Sequence, residues 1–362
     1  MVALFSLIPL LAFSGPGAQP LYCVQDQSLH IEITDLAIQE HTADSIPLGS
    51  EFCCQLLVVA EANRSMDQLA SLSSQALSDK VVRLVSLSVS INGRKYVNRV
   101  SRSLRNDGAR FWVVGRNESD LRREQVREGF TRLELTCGVS FFTRLEDEDV
   151  GFLFDTPARY ELKLGGFEKC TATQTINVEA TPVAPEDVQV LKLLSTPATL
   201  IFLETLPSDR PIENEVLEAL ESSRRLQPKT KHIQALVLSG LATARLCKLG
   251  QLASDDPEGF DATGHGSSRL EAGAQSYLEL EGELEDTLNQ NDLTPFSSSA
   301  WISLAKIMTF RARRAGEESE RRRIEDSAAE ALQRIKEAPL SGQWHDEAVR
   351  SLRAIEARRE HR

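Results

Sequence analysis

The sequence predicts a two-domain chain, all-β and antiparallel in its front part and all-α in its rear part. Three observations carry that expectation. Apolar residues recur with period two from about residue 28 to 180. Two prolines, Pro182 and Pro185, then interrupt the chain. After them, apolar residues recur at helical spacing. At 362 residues, two cores are the expected arrangement.

The first element is an apolar run at 2–13, followed by Ser14-Gly15-Pro16-Gly17-Ala18. A helix needs roughly 20 residues to cross a bilayer, so the run is too short to span one. Residues 1–18 read as a signal peptide, although no Lys or Arg precedes the run. That predicts an extracytoplasmic chain, periplasmic or secreted. If the run is not a signal, the location is cytoplasmic. Tyr22 is too large for the position before a lipidated cysteine, so no lipid anchor is expected at Cys23.

A β domain is expected over 25–181. Strands are predicted at 29–33, 52–59, 81–91, 94–100, 111–114, 131–142, 160–164 and 173–178. In the third, Val85, Leu87, Val89 and Ile91 share one face, and Ser86, Ser88 and Ser90 the other. Asn92-Gly93 follows, the strongest short-range hairpin signal. Two excursions are expected to interrupt the strands. Residues 62–79 could form a short helix, and the charge-dense stretch 116–129 reads as an exposed loop.

Five of six cysteines (Cys23, Cys53, Cys54, Cys137 and Cys170) fall in this part, and the sixth is Cys247. An oxidising compartment would permit disulfides. Cys53 and Cys54 are neighbours and would point to opposite faces of a strand. One of them is expected to meet Cys137. The alternative is that the cysteines are small buried apolar residues.

The stretch from Phe154 through Asp155-Thr156-Pro157 to Tyr160, Leu162 and Leu164 resembles the corner and penultimate strand of immunoglobulin-like or fibronectin-type-III-like sandwiches. That resemblance implies a β-sandwich with Tyr160 as the corner tyrosine, its hydroxyl tied back to nearby backbone. Leu162 stands where a true immunoglobulin domain has its second cysteine.

Residues 182–186 read as a linker and 187–360 as an α-helical domain, a bundle or short solenoid. Pro185 suits a first helical turn, with Glu186 and Asp187 near its positive end. Ile233, Leu236, Val237, Gly240, Leu241 and Ala244 form one face, and Gly240 and Ala244 would allow close packing. A loop is expected at about 250–267. Ser268 and Glu271 form a capping box opening a stripe through Tyr277, Leu280, Leu284 and Leu288. Further helices carry Trp301 and Met308, then Ile324 and Leu332, then Trp344 and Leu352. Residues 235–249 are loosely similar to one helix of a tetratricopeptide repeat, without a second copy at the roughly 34-residue offset that family needs. The order of parts resembles bacterial envelope proteins in which a sandwich precedes a helical tail.

Chemistry is sparse. The net charge is −12 and the pI about 5.2, and both halves are mildly acidic, so nucleic acid is not an expected partner. Arg311, Arg313, Arg314 and Arg321–Arg323 are interleaved with glutamates and lack the aromatics that stack bases. No catalytic, cofactor or metal signature is read. Gly264-His265-Gly266-Ser267 reads as linker, and Glu146-Asp147-Glu148-Asp149 as a solvated acidic loop. The expected function is a non-catalytic extracytoplasmic protein-interaction or envelope-associated role with a protein partner. One alternative is a divergent hydrolase or glycan-active enzyme with its site at the junction of the two parts, where Asp155 or Glu186 could approach. Another is a structural envelope component.

Overall fold

The computed structural model describes residues 31–41, 43–62, 85–98, 109–113, 122–127, 130–146, 149–166, 173–206, 211–255, 268–289, 298–338 and 343–360. The expected signal peptide, the insertion beyond Ala62, the Gly264–Ser267 stretch and Cys23 and Cys170 lie outside them.

The strands are β1 (Ile31–His41), β2 (Ser45–Pro47), β3 (Phe52–Ala62), β4 (Val85–Ile91), β5 (Arg94–Asn98), β6 (Ala109–Val113), β7 (Arg122–Arg127), β8 (Phe130–Phe141), β9 (Thr143–Glu146), β10 (Asp149–Phe152), β11 (Ala158–Gly166) and β12 (Thr173–Thr181). They form three small sheets. One is ordered β1-β3-β8-β6, with β7 also on β8. The second is the hairpin β9-β10, and the third is ordered β2-β12-β11-β4-β5.

The third sheet follows directly from the period-two pattern. Its register aligns Ile91, Tyr160 and Val178 in one row and Val89, Leu162 and Ile176 in the next. All six are buried, while Lys163, Asn177 and Glu179 on the other face are exposed. Asn92 and Gly93 both take positive φ, 49° and 81°, which is the backbone a type I′ turn demands between β4 and β5.

The helices are α1 (Pro185–Leu194), α2 (Pro197–Thr205), α3 (Asn214–Arg225), α4 (Lys231–Asp255), α5 (Ser268–Leu278), α6 (Leu280–Asn289), α7 (Ser298–Arg314), α8 (Glu318–Glu337) and α9 (Gln343–Glu360). Pro185 and Pro197 stand in the first turns of α1 and α2, where a missing N–H costs nothing. The side chain of Thr196 caps α2 by accepting from the Thr199 N–H at 3.3 Å. Helix α4 is the hub, with α3, α5, α6 and α7 against it, and α8 and α9 follow on α7. Gly240 makes that packing possible. A β-carbon there would lie 2.7 Å from Leu203 of α2 and 2.9 Å from Leu220 of α3. No described helix is long and apolar enough to cross a membrane.

The expected fold class requires correction. The strands do not close an immunoglobulin-like antiparallel sandwich, and the chain is not an all-β unit followed by an all-α one. The third sheet is mixed, because β2 pairs parallel with β12. One hydrophobic core runs from Ile46 and Phe52 through Leu191, Leu203 and Leu241 to Ile355. The apolar faces of the strands are covered in part by helices, with α2 packed on β10 and α1 against the β2–β3 turn. Periodicity identifies a strand and its buried face, but it says nothing of what covers that face.

A second correction concerns 116–129. Residues 122–127 are strand β7, not an exposed loop. The register with β8 sets Arg122 opposite Glu134 and Glu124 opposite Arg132. The paired positions carry residues of opposite charge type, a pattern legible only once the partner strand is known. Of the acidic run, Glu146 ends β9 and Asp149 begins β10, and the two are paired opposite each other.

Candidate functional site

Strands and helices meet at the turn between β2 and β3. Gly49 has φ +77° and donates its N–H to the Phe154 carbonyl at 2.8 Å. A β-carbon on it would lie 2.5 Å from Leu191, so only glycine lets α1 come this close. Next to it, Ser50 is fully buried, and its hydroxyl bonds His232 Nε2 at 3.2 Å. His232 is the second residue of α4. Burial lowers its pKa from 6.5 to about 4, against smaller opposing effects of the Gly49 backbone and the Asp187 carboxylate. The ring is therefore neutral at pH 7.

Asp187 completes this corner. It is fully buried on α1 and accepts three hydrogen bonds, from the Lys229 N–H at 2.6 Å, the Thr230 N–H at 2.9 Å and the Thr230 hydroxyl. Those donors lie just before α4, so Asp187 satisfies the positive end of one helix from the first turn of another.

A serine hydroxyl on a neutral imidazole, with an aspartate near, is the residue set of nucleophilic catalysis. The geometry around it decides against that chemistry as built. The cavity that His232 lines with Glu51, Ser299 and Trp344 is about 30 Å³, room for one water and not for an acyl group. The Asp187 oxygens are taken by the residues before α4 rather than by the imidazole. The pair ties the β2–β3 turn to the start of α4.

The residues singled out from sequence are placed as follows. Cys54 is a buried thiol, and burial pushes its pKa well above the ordinary range. Cys53 is a buried thiol on the same strand. The register puts Cys54 opposite Val139 and Cys137 opposite Leu56. The register therefore pairs neither Cys53 nor Cys54 with Cys137, from which Cys54 stands two rows away and Cys53 three. Tyr160 is fully buried, and its hydroxyl donates to the Thr156 carbonyl at 2.9 Å and accepts the Thr156 N–H at 3.3 Å. Asp155 is held by Arg144 through both guanidinium ends, one bond being 3.1 Å. Glu186 is exposed in the first turn of α1. Among the described residues, no group of three or more His, Cys, Asp or Glu could hold a metal ion.

Among the described residues, two of the grooves that open on the helices have an apolar lining. The first, about 270 Å³, lies where α9 diverges from α7 over α8. Its floor is Leu246, Ala305, Phe310, Leu332 and Ala354. Lys306, Arg313 and Arg358 stand around it with Thr309 and Ser351, and no carboxylate lines it. Phe310 is fixed edge-on against Tyr277 at 5.4 Å, and Arg314 sits 5.8 Å over its ring. The second groove, about 300 Å³, lies between the α3–α4 turn and α6. Pro228, Val237 and Leu238 form its apolar part, and Arg224 is spent on Glu283 at its edge.

The basic run on α7 is largely neutralised by its neighbours. Arg311 pairs with Glu281 at 2.6 Å and Arg314 with Glu271 at 2.7 Å. Sequence reasoning passed over Ser50, the Asp187–Thr230 contact and the α7–α9 groove. Each joins residues far apart in the chain, and no local motif marks them. No family model and no curated protein matches the chain.

Proposed function

We propose that the chain is a non-catalytic protein-interaction protein working outside the cytoplasm, in or near a cell envelope. The supporting observation is the groove between α7 and α9. It offers an open apolar floor on rigid helices, with polar groups around it that can bond a partner's backbone. At about 270 Å³ it accepts one or two anchoring side chains, the size of an interface hot spot. The compartment rests on the apolar run at 2–13, read as a signal.

A groove-filling variant tests the reading. Ala354 is exposed on α9 at the groove floor, so Ala354→Trp fills the space from a solvent-facing position. The tagged chain and this variant are used to capture proteins from an envelope extract, after circular dichroism has confirmed equal folding. Proteins retained by the unaltered chain and lost by the variant are the expected result. Identical capture by both, or none by either, overturns the proposal.

A further inference from the structure

The α7–α9 groove has a sign of its own on a chain whose net charge is −12. Three cations line it and no carboxylate does. The nearest acid that engages them, Glu347, is shared between Lys306 at 3.1 Å and Arg350 at 2.6 Å, so two positive charges face one negative. Arg313 is exposed at the groove edge and makes no ion pair among the described residues. Its neighbours Arg311 and Arg314 are satisfied by Glu281 and Glu271, which isolates Arg313 as the unspent charge of the α7 run. Leaving a cation unpaired beside an apolar floor, on a chain of net negative charge, favours an anion with an apolar part.

The size of the groove narrows the class. About 270 Å³ falls just below the roughly 300–1,000 Å³ typical of small-molecule sites, and the space is open rather than enclosed. It holds an anchor, not a whole ligand. We infer that the groove takes an acidic peptide segment of a partner protein, with one or two apolar side chains on the Phe310–Leu332 floor and flanking carboxylates on Lys306, Arg313 and Arg358. This rests on the protein-interaction reading above and names the partner's chemistry.

The test uses the full chain and a short fluorescent peptide with Leu and Phe flanked by Glu and Asp, read by anisotropy. Counterparts flanked by Lys or by Ser are run alongside, with a single-stranded oligonucleotide and decanoate. The acidic peptide is expected to bind, and to weaken about tenfold or more in Arg313→Glu and on raising the salt from about 0.05 to 0.5 M. It should be lost in Ala354→Trp. Arg313→Gln, which removes the charge without reversing it, should fall between. If the Lys- or Ser-flanked peptide binds as well and Ala354→Trp blocks it, the acidic assignment is overturned while the interaction reading stands. If no peptide binds at millimolar concentration, both fall. Stronger binding of the oligonucleotide or of decanoate, or acidic-peptide binding that ignores Ala354→Trp, also overturns the inference.

Discussion

Removing the Asp187 carboxylate should cost far more than its place in the first turn of a short helix suggests. In Asp187→Ala, two backbone N–H groups and one hydroxyl lose a charged acceptor. Each unmade bond to a charged group is worth about 1.5–3 kcal/mol, and losses at one site do not simply add. Lys229 is exposed and Thr230 half-buried, so water can recover part of the loss. The expected cost is therefore about 3 kcal/mol. Asp187→Asn keeps one acceptor oxygen but points an amide N–H at the remaining donors, and should cost about 2 kcal/mol. Urea unfolding followed by circular dichroism and by the fluorescence of Trp301 and Trp344 gives both numbers. Amide exchange at Lys229 and Thr230 should quicken together with the loss. A cost under about 1 kcal/mol for the alanine variant, with exchange unchanged, would refute the claim that Asp187 holds the start of α4.

Three further outcomes are expected. The His232 pKa is lowered from 6.5 to about 4, so the folded state resists the proton that the unfolded chain accepts. Its contribution is complete above about pH 6.5 and is lost as the pH falls to about 4, with a ceiling near 3 kcal/mol that partial exposure of the ring reduces. His232→Gln should flatten the pH dependence of the urea midpoint in that window, and an unchanged slope contradicts it. Gly240→Val should cost roughly 1–3 kcal/mol by overpacking against Leu203 and Leu220. Gly240→Ala should sit nearer zero, because alanine regains about 1 kcal/mol of helix propensity, and thermal melts should rank the two in that order. Tyr160→Phe removes both bonds to Thr156 while keeping the buried ring, for about 1 kcal/mol, whereas Tyr160→Ala should cost about 3–5 kcal/mol; equal melts for the two would refute the division.

Much of the local structure was legible because it depends on neighbours in sequence. The alternation at 85–91, the Asn92-Gly93 turn, Pro185 at the start of a helix and the small face at Gly240 are each written within a few residues. What escaped depends on partners. β7 pairs with β8, and β2 pairs parallel with β12 from far along the chain. Glu317 and Arg321 stand at i,i+4 spacing at the start of α8, yet Arg321 turns to Glu318 at 3.3 Å and to the Ala315 carbonyl at 3.1 Å. Spacing permits a pair, and the helix start decides it. The cysteines mislead for the same reason: a disulfide needs its Cβ atoms within roughly 4.5 Å, and the register sets that distance.

The prolines at 182–185 mark a change of secondary structure and not a break in the energetics. Within a few residues on either side, Glu179 donates its N–H to the Asp44 carbonyl at 2.8 Å, and Asp187 reaches the start of α4. Leu191 occupies the space that Gly49 leaves open, and Ser50 bonds His232. The Glu179 bond stays within the strand region, and the other three join the strand region or the linker helix to a segment beyond the boundary or beyond the next two helices. A hinge would need this seam to be wet and weakly packed. It instead carries the buried residues Ser50, Asp187, Leu191 and Leu203, and the space beside His232 is only about 30 Å³. The basic groove between α7 and α9 shares no lining residue with this seam.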